Sequence, residues 1–190
     1  ASYNTAFGTH TLLVNTTGTY NLAVGAHALE ANTTGNYNTG VGANSLFNAT
    51  SNNNTALGYN ALYANTTGTY NTAVGYNSLL SATTADANTS VGYKALEDNT
   101  TGASNTAVGY IALNSNTTAF YNTAVGRSAL TTNTTGAENT GIGMNALQNN
   151  TTASNNVAVG KSALESNPSW ASNVAVEWGT LDSNTTVNTN

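Results

Sequence analysis

The sequence predicts an all-β fold, a parallel β-solenoid (β-roll) of about eleven 17-residue coils, and three observations predict it. First, the motif Asn-Thr-Ala-Val-Gly recurs along the whole chain. Counting its Asn as position 1, that residue falls at Asn4, Asn21, Asn38, Asn54, Asn71, Asn88, Asn105, Asn122, Asn139, Asn156 and Asn173. The spacing is 17 except for one interval of 16, between Asn38 and Asn54. Second, the columns are strict. Position 9 is Leu in every unit from Leu12 to Leu181, and position 5 is Gly in every unit but the last, which has Glu177. Third, the unit is too short for a helical-hairpin repeat, which needs roughly 33 residues or more, and its β-branched residues and recurrent Gly oppose helix.

Each part of the unit has a reason. Positions 1–5 read as a strand. Side chains alternate across an extended segment, so positions 2 and 4 share one face and positions 1, 3 and 5 the other. Position 4 is always Val, Leu, Ile or Phe. Where position 2 departs from Thr it becomes Leu22, Val157 or Val174, which points both columns inward. Gly at position 5 and Asn-Thr-Thr-Gly at positions 12–15 are turn chemistry. A second short strand is expected around Leu at position 9. The predicted core ladder therefore runs through Val24, Leu29, Val74, Leu79, Val91, Leu96, Val108 and Leu113. Stacked in register at about 4.8 Å, eleven coils make a rod on the order of 50 Å long. Identical Asn side chains one spacing apart can then form a hydrogen-bonded ladder. Residues 1–190 read as one repetitive domain, in which residues 168–190 are divergent last coils forming a cap or docking end.

Three inward apolar groups per coil form a thin core, which implies a second buried surface. Position 3 is only Ala, Gly or Ser, and position 8 only Ala, Ser or Thr. Small residues let another backbone approach closely, making Ala73, Gly75, Gly92, Ala107 and Gly109 candidates for lateral packing against copies of the chain, most simply around a threefold axis. The alternative is that a tight coil leaves no room for anything larger.

The units Asn54-Thr55-Ala56-Leu57-Gly58, Asn71-Thr72-Ala73-Val74-Gly75 and Asn105-Thr106-Ala107-Val108-Gly109 resemble the N-T-A-x-G-x-x-A-L…N-T-T-G repeats of bacterial surface and phage tail-fibre proteins. They are related in pattern to the heads of trimeric autotransporter adhesins. The resemblance covers the whole chain. It implies a trimeric parallel β-roll with an adhesive or fibrous role, extracellular, at a cell surface or on a virion fibre.

Composition narrows the function. Only 6% of the 190 residues are charged, three Lys/Arg against eight Asp/Glu, with a net charge of −5, so no phosphate-binding surface is expected and nucleic acid is not a partner. There is no Cys, hence no thiolate chemistry. No apolar run approaches the roughly 18 residues that span a bilayer, so no membrane insertion is expected. His10 and His27 share position 7, but two imidazoles without a nearby carboxylate make a poor metal site. Asp86, Glu97 and Asp98, with Lys94 beside them, are the densest acidic patch. A convex rod offers these acids no cleft for hydrolysis. The expectation is a protein that is not an enzyme, with no cofactor and no metal.

Two binding surfaces remain. Tyr59, Tyr76, Tyr93 and Tyr110 fill position 6 of consecutive coils, a ladder suited to stacking on a glycan or on its own neighbours. The Thr-Thr pairs at positions 13 and 14, such as Thr66-Thr67, raise ice binding as another use. The Asn-x-Thr sequons at Asn15, Asn32, Asn65, Asn99, Asn116, Asn133 and Asn184 read as turn chemistry rather than glycan acceptors. Ala1 and Tyr3 at one end, and Trp170 and Trp178 at the other, are candidates for end-to-end docking by strand addition, with Trp178 alternatively a cap over the last coil. The resulting functional expectation is a structural subunit that associates head-to-tail or laterally with its own copies. A surface binding module for glycan or ice is the alternative.

Overall fold

Each unit contributes one three-residue strand, and the strands pair in chain order. The computed structural model describes residues 3–167 and 169–182. The strands are β1 (Thr5–Phe7), β2 (Leu22–Val24), β3 (Thr39–Val41), β4 (Thr55–Leu57), β5 (Thr72–Val74), β6 (Thr89–Val91), β7 (Thr106–Val108), β8 (Thr123–Val125), β9 (Thr140–Ile142), β10 (Val157–Val159) and β11 (Val174–Val176). They form one parallel 11-stranded sheet in sequential order. Register is that of the repeat, with Thr72 opposite Thr89 and Val74 opposite Val91. The fold is thus the predicted β-solenoid. No helix in the described residues is long and apolar enough to cross a membrane. Ala1, Pro168, Asn184 and the segment 183–190 lie outside the described residues.

The strands face the opposite way from the sequence expectation. Val24, Val74, Val91 and Val108 are only half-buried, and Leu57 and Ile142 at the same position are exposed. Position 3 is fully buried instead, at Ala23, Ala56, Ala73, Ala107, Ala124 and Ala158. The reason is space. A Cβ on Gly40 would sit 3.0 Å from Ser45 Oγ and 3.4 Å from Leu29 Cγ, and one on Gly141 would sit 3.2 Å from the Ala146 carbonyl oxygen. The interior opposite position 3 admits a methyl and little more, so a valine there would collide. The polar variant is matched: Ser78 and Ser90, buried in adjacent coils, hydrogen-bond to one another at 2.7 Å.

Leu29, Leu79, Leu96 and Leu113 are buried as expected, but no second strand carries them. Positions 8 and 9 are adjacent and both buried, as at Ala95 and Leu96, which period-2 alternation forbids. A turn with positive φ at positions 7 and 9 achieves it: Lys94 has φ 53° and Leu96 φ 50°, and the same pair recurs up the stack. A left-handed leucine costs roughly 1–2 kcal/mol. Burial of its side chain and the bond from its N–H to the next coil (Leu96 N to Ala112 O, 3.1 Å) offset that cost.

The remaining interior is amide. Position 1 is buried from Asn21 to Asn173. Its Oδ1 accepts from the backbone N–H of position 1 in the next coil (Asn88 N to Asn71 Oδ1, 3.0 Å), and its Nδ2 donates to the position-15 carbonyl of its own coil (Asn71 Nδ2 to Ala85 O, 2.7 Å). Position 12 forms the amide-to-amide ladder, Asn150 to Asn133 to Asn116 to Asn99, at 2.9, 3.1 and 2.8 Å. Where Ala49 replaces Asn in that column, the Ser51 hydroxyl accepts from Asn54 and Asn65 instead. The core is therefore leucine, alanine and hydrogen-bonded asparagine.

Candidate functional surface

The small columns serve the coil. Ala73 and Ala107 face the interior. Gly75, Gly92 and Gly109 press on the next coil of the same chain: a Cβ would lie 2.3, 2.2 and 2.4 Å from the carbonyl oxygens of Gly92, Gly109 and Gly126. Ala73 and Ala107 are therefore not a lateral packing surface, and the size of the three half-buried glycines is set by the next coil.

What the coil turns outward is the sheet face that was expected inside. Across positions 17, 1, 2, 3 and 4 the burial alternates, for example Tyr70 exposed, Asn71 buried, Thr72 half-buried, Ala73 buried, Val74 half-buried. Position 4 presents an apolar side chain in all eleven strands, and position 2 presents Thr, Leu or Val. No strand residue is charged. Phe7, Leu57, Ile142, Val174 and Val176 are among the exposed large apolar residues. Sequence reasoning missed this face, although size variation at position 4, from Val to Phe, is a signal that the column is not enclosed.

Aromatic columns flank the strands. Tyr59, Tyr76, Tyr93 and Tyr110 stack with centroids 5.5, 5.4 and 5.2 Å apart, and all four are exposed. Lys94 lies 5.8 Å from the Tyr93 ring and Arg127 5.9 Å from the Tyr110 ring. At position 17, Tyr3, Tyr20 and Tyr37 stack at 4.9 and 5.2 Å. The expected Tyr ladder is formed, as a stack of mutually parallel rings.

At the C-terminal end, Trp178 does not cap the core. It stands at position 6, 75% exposed, 6.0 Å from Lys161, in the column that the tyrosines occupy elsewhere. Trp170 is half-buried, and its carbonyl accepts from Asn167 and Asn173. Tyr3, at the other end, is exposed apart from its stack on Tyr20.

The polar groups are mostly committed. Glu97 pairs with Lys94 at 3.2 Å and accepts from Asn77 and Asn114. Hydrogen bonding to Glu97, then its charge, raises the Lys94 pKa, whereas burial and then the neighbouring Glu97 raise that of Asp98. Asp86 accepts from the backbone and hydroxyl of Thr69. The sequons at Asn32, Asn65, Asn99, Asn116 and Asn133 are fully buried. A folded coil therefore offers these five asparagines to no glycosylating enzyme. Most position-13 threonines donate to the next coil's carbonyl, as Thr66 Oγ1 does to Thr83 O at 3.0 Å, whereas position 14, including Thr67, is turned to solvent on that edge.

His10 and His27 correct an expectation. Their rings are 5.0 Å apart, and a carboxylate is present after all: Glu30 Oε2 lies 2.5 Å from His27 Nδ1.

No protein-family model, curated protein or solved structure matches the chain.

Proposed function

We propose that the chain is a structural, non-enzymatic β-solenoid that associates side by side with copies of itself in an extracellular fibre, whether a cell-surface filament, an adhesin or a virion tail fibre. The uninterrupted, uncharged outer face of positions 2 and 4 is the observation that supports this reading. Eleven strands at about 4.8 Å spacing, with about six residues of width from position 17 to position 6, give a face of roughly 1,000 Å². That matches the roughly 800 Å² per partner of a stable interface. A second copy suits it because a ladder of Thr and Val is complementary to itself, and positions 2 and 4 carry no charge, the exposed Arg127, Lys161 and Glu138 lying at its edges in positions 6 and 17.

End-to-end growth is less compatible with the residues. A Cβ at position 5 points at the position-5 carbonyl of the following coil, at 2.2–2.8 Å from its oxygen for every glycine in that column. Glu177 has such a Cβ. A further coil stacked in the same register, including Thr5–Phe7 of another copy, would have to accommodate that Cβ, which sits on a backbone turned to φ 98° where the glycines have 122–141°.

The decisive experiment is sedimentation velocity over a concentration series, with Val74→Glu/Val108→Glu as the variant. The chain is expected to sediment as a dimer or trimer, and the variant as a 19.3 kDa monomer with an unchanged circular dichroism spectrum. A native chain that stays monomeric at every concentration rejects the reading. The outward Thr column also supports a second use, in which the same face orders water against ice, and the exposed Tyr stack supports glycan binding. Ice-recrystallisation and glycan-array activity from a strictly monomeric chain would favour these.

A further inference from the structure

The geometry points to a divalent transition-metal site formed by His10, His27 and Glu30 that clips the first coil to the second. One donor atom from each of the three residues lies within 4.8 Å of the other two. The two imidazoles come from the same position in adjacent coils, on the same backbone conformation, φ 57° at His10 and 60° at His27. The His27 N–H is tied to the Thr9 carbonyl at 2.8 Å, so the offset between the rings is fixed by the solenoid itself. Glu30 follows His27 by one turn and already reaches its Nδ1. Phe47 stands 6.3 Å from the His27 ring, an apolar wall on the side of the third coil.

The donor set selects the ion. Two imidazole nitrogens and one carboxylate oxygen suit Zn²⁺, Co²⁺, Ni²⁺ or Cu²⁺ and are poor for Ca²⁺ or Mg²⁺, which take oxygen ligands. Three protein donors leave one tetrahedral position for water. Bonds of about 2.0–2.2 Å place donor atoms about 3.4 Å apart, so His27 Nδ1 and Glu30 Oε2, now 2.5 Å apart, must separate by roughly 1 Å, while the wider separations, none above 4.8 Å, close by about 1.4 Å at most. Side-chain rotation can supply that, because His10 is exposed and the His27 and Glu30 side chains are 41% and 22% exposed. The same exposure gives an ion access from solvent. No other group of three such residues is assembled among the described residues.

A conservative variant is built into the repeat. Asn occupies position 7 at Asn44, Asn60, Asn77 and Asn145, always with positive φ, so His10→Asn and His27→Asn keep the fold. Isothermal titration of the full chain with Zn²⁺ is expected to give one ion per chain. Either substitution, or Glu30→Gln, should weaken binding at least about tenfold, since even the loss of an outer-shell partner costs about 10–100-fold. Glu97→Gln should leave it unchanged, and Ca²⁺ should not bind. Because the ion bridges two coils, Zn²⁺ should also slow hydrogen exchange at Thr5 and Leu12, whose amides bond to the second coil. Absence of stoichiometric binding, or equal binding by the His10→Asn/His27→Asn chain, overturns the assignment.

Discussion

Replacing Gly92 by valine is expected to abolish cooperative folding of the stack. Gly92 has φ +139°, a conformation that side-chain-bearing residues rarely adopt, and its added Cβ would lie 2.2 Å from the Gly109 carbonyl oxygen. That oxygen is backbone and belongs to the next coil, so relief requires the coils to part. Parting breaks the bonds that hold this junction, among them Gly109 N to Val91 O at 2.8 Å and Thr89 N to Asn105 O at 2.9 Å. Strain at one such residue costs on the order of 1–3 kcal/mol, and the lost ladder adds to it, for a total of about 4 kcal/mol or more. The position is also mid-stack, in the sixth of eleven units. A repeat array is stabilised by nearest-neighbour contacts, so a break there leaves two short stacks, each weaker than the whole. Chemical denaturation followed by circular dichroism should show a much lower midpoint or a split transition, and an unchanged curve would refute this account of position 5.

Leu96→Asp should be as damaging, for a different reason. Leu96 is fully buried within a core cluster of leucine and alanine from successive coils. Truncating such a leucine costs about 2–5 kcal/mol, and an unpaired buried carboxylate adds several more, which is comparable with the whole stability of an ordinary domain. Desolvation would raise the pKa of the new carboxyl. The destabilisation is therefore full above that raised value and is relieved as the pH falls through it, so the variant should recover structure on mild acidification. Val91→Asp, five residues earlier in the same coil, should cost less than about 1 kcal/mol because its side chain meets solvent. A thermal melt of both variants at neutral and acidic pH checks the pair. Equal damage from the two would mean that the faces are wrongly assigned.

That contrast marks where the sequence was legible. The period, the parallel stack, the Leu column and the turn at position 5 all followed from columns that vary little, Leu in all eleven units and Gly in ten. The face of the strand did not. A strand of Thr-Ala-Val can be turned either way by a one-residue slip, and apolarity alone favoured placing Val91 and Val108 inside. Volume decides the other way: position 3 never exceeds Ala or Ser, whereas position 4 ranges from Val to Phe7, so only the former can be enclosed. Asn at position 1 shares the face of position 3, and its burial is made possible by hydrogen bonds that only the folded stack supplies, such as Asn105 N to Asn88 Oδ1 at 2.9 Å. The second strand was misread because it assumed alternation, while Ala95 and Leu96 point inward side by side through left-handed backbone at Lys94 and Leu96. Glu30 was missed as a partner of the histidines because its three-residue offset from His27 becomes proximity only in that turn.

The outward strand face and its occupation by a second copy meet in one measurement, the rate of thiol labelling at Val91→Cys. The chain has no native cysteine, so the introduced thiol is the only reactive one. It should react readily in dilute, natively folded protein and slow by about tenfold or more, by mass action, at concentrations where the chains associate. A thiol that stays unreactive at every concentration until the chain is unfolded would place position 4 inside the coil. A rate that is fast and independent of concentration would show that no second copy covers the face.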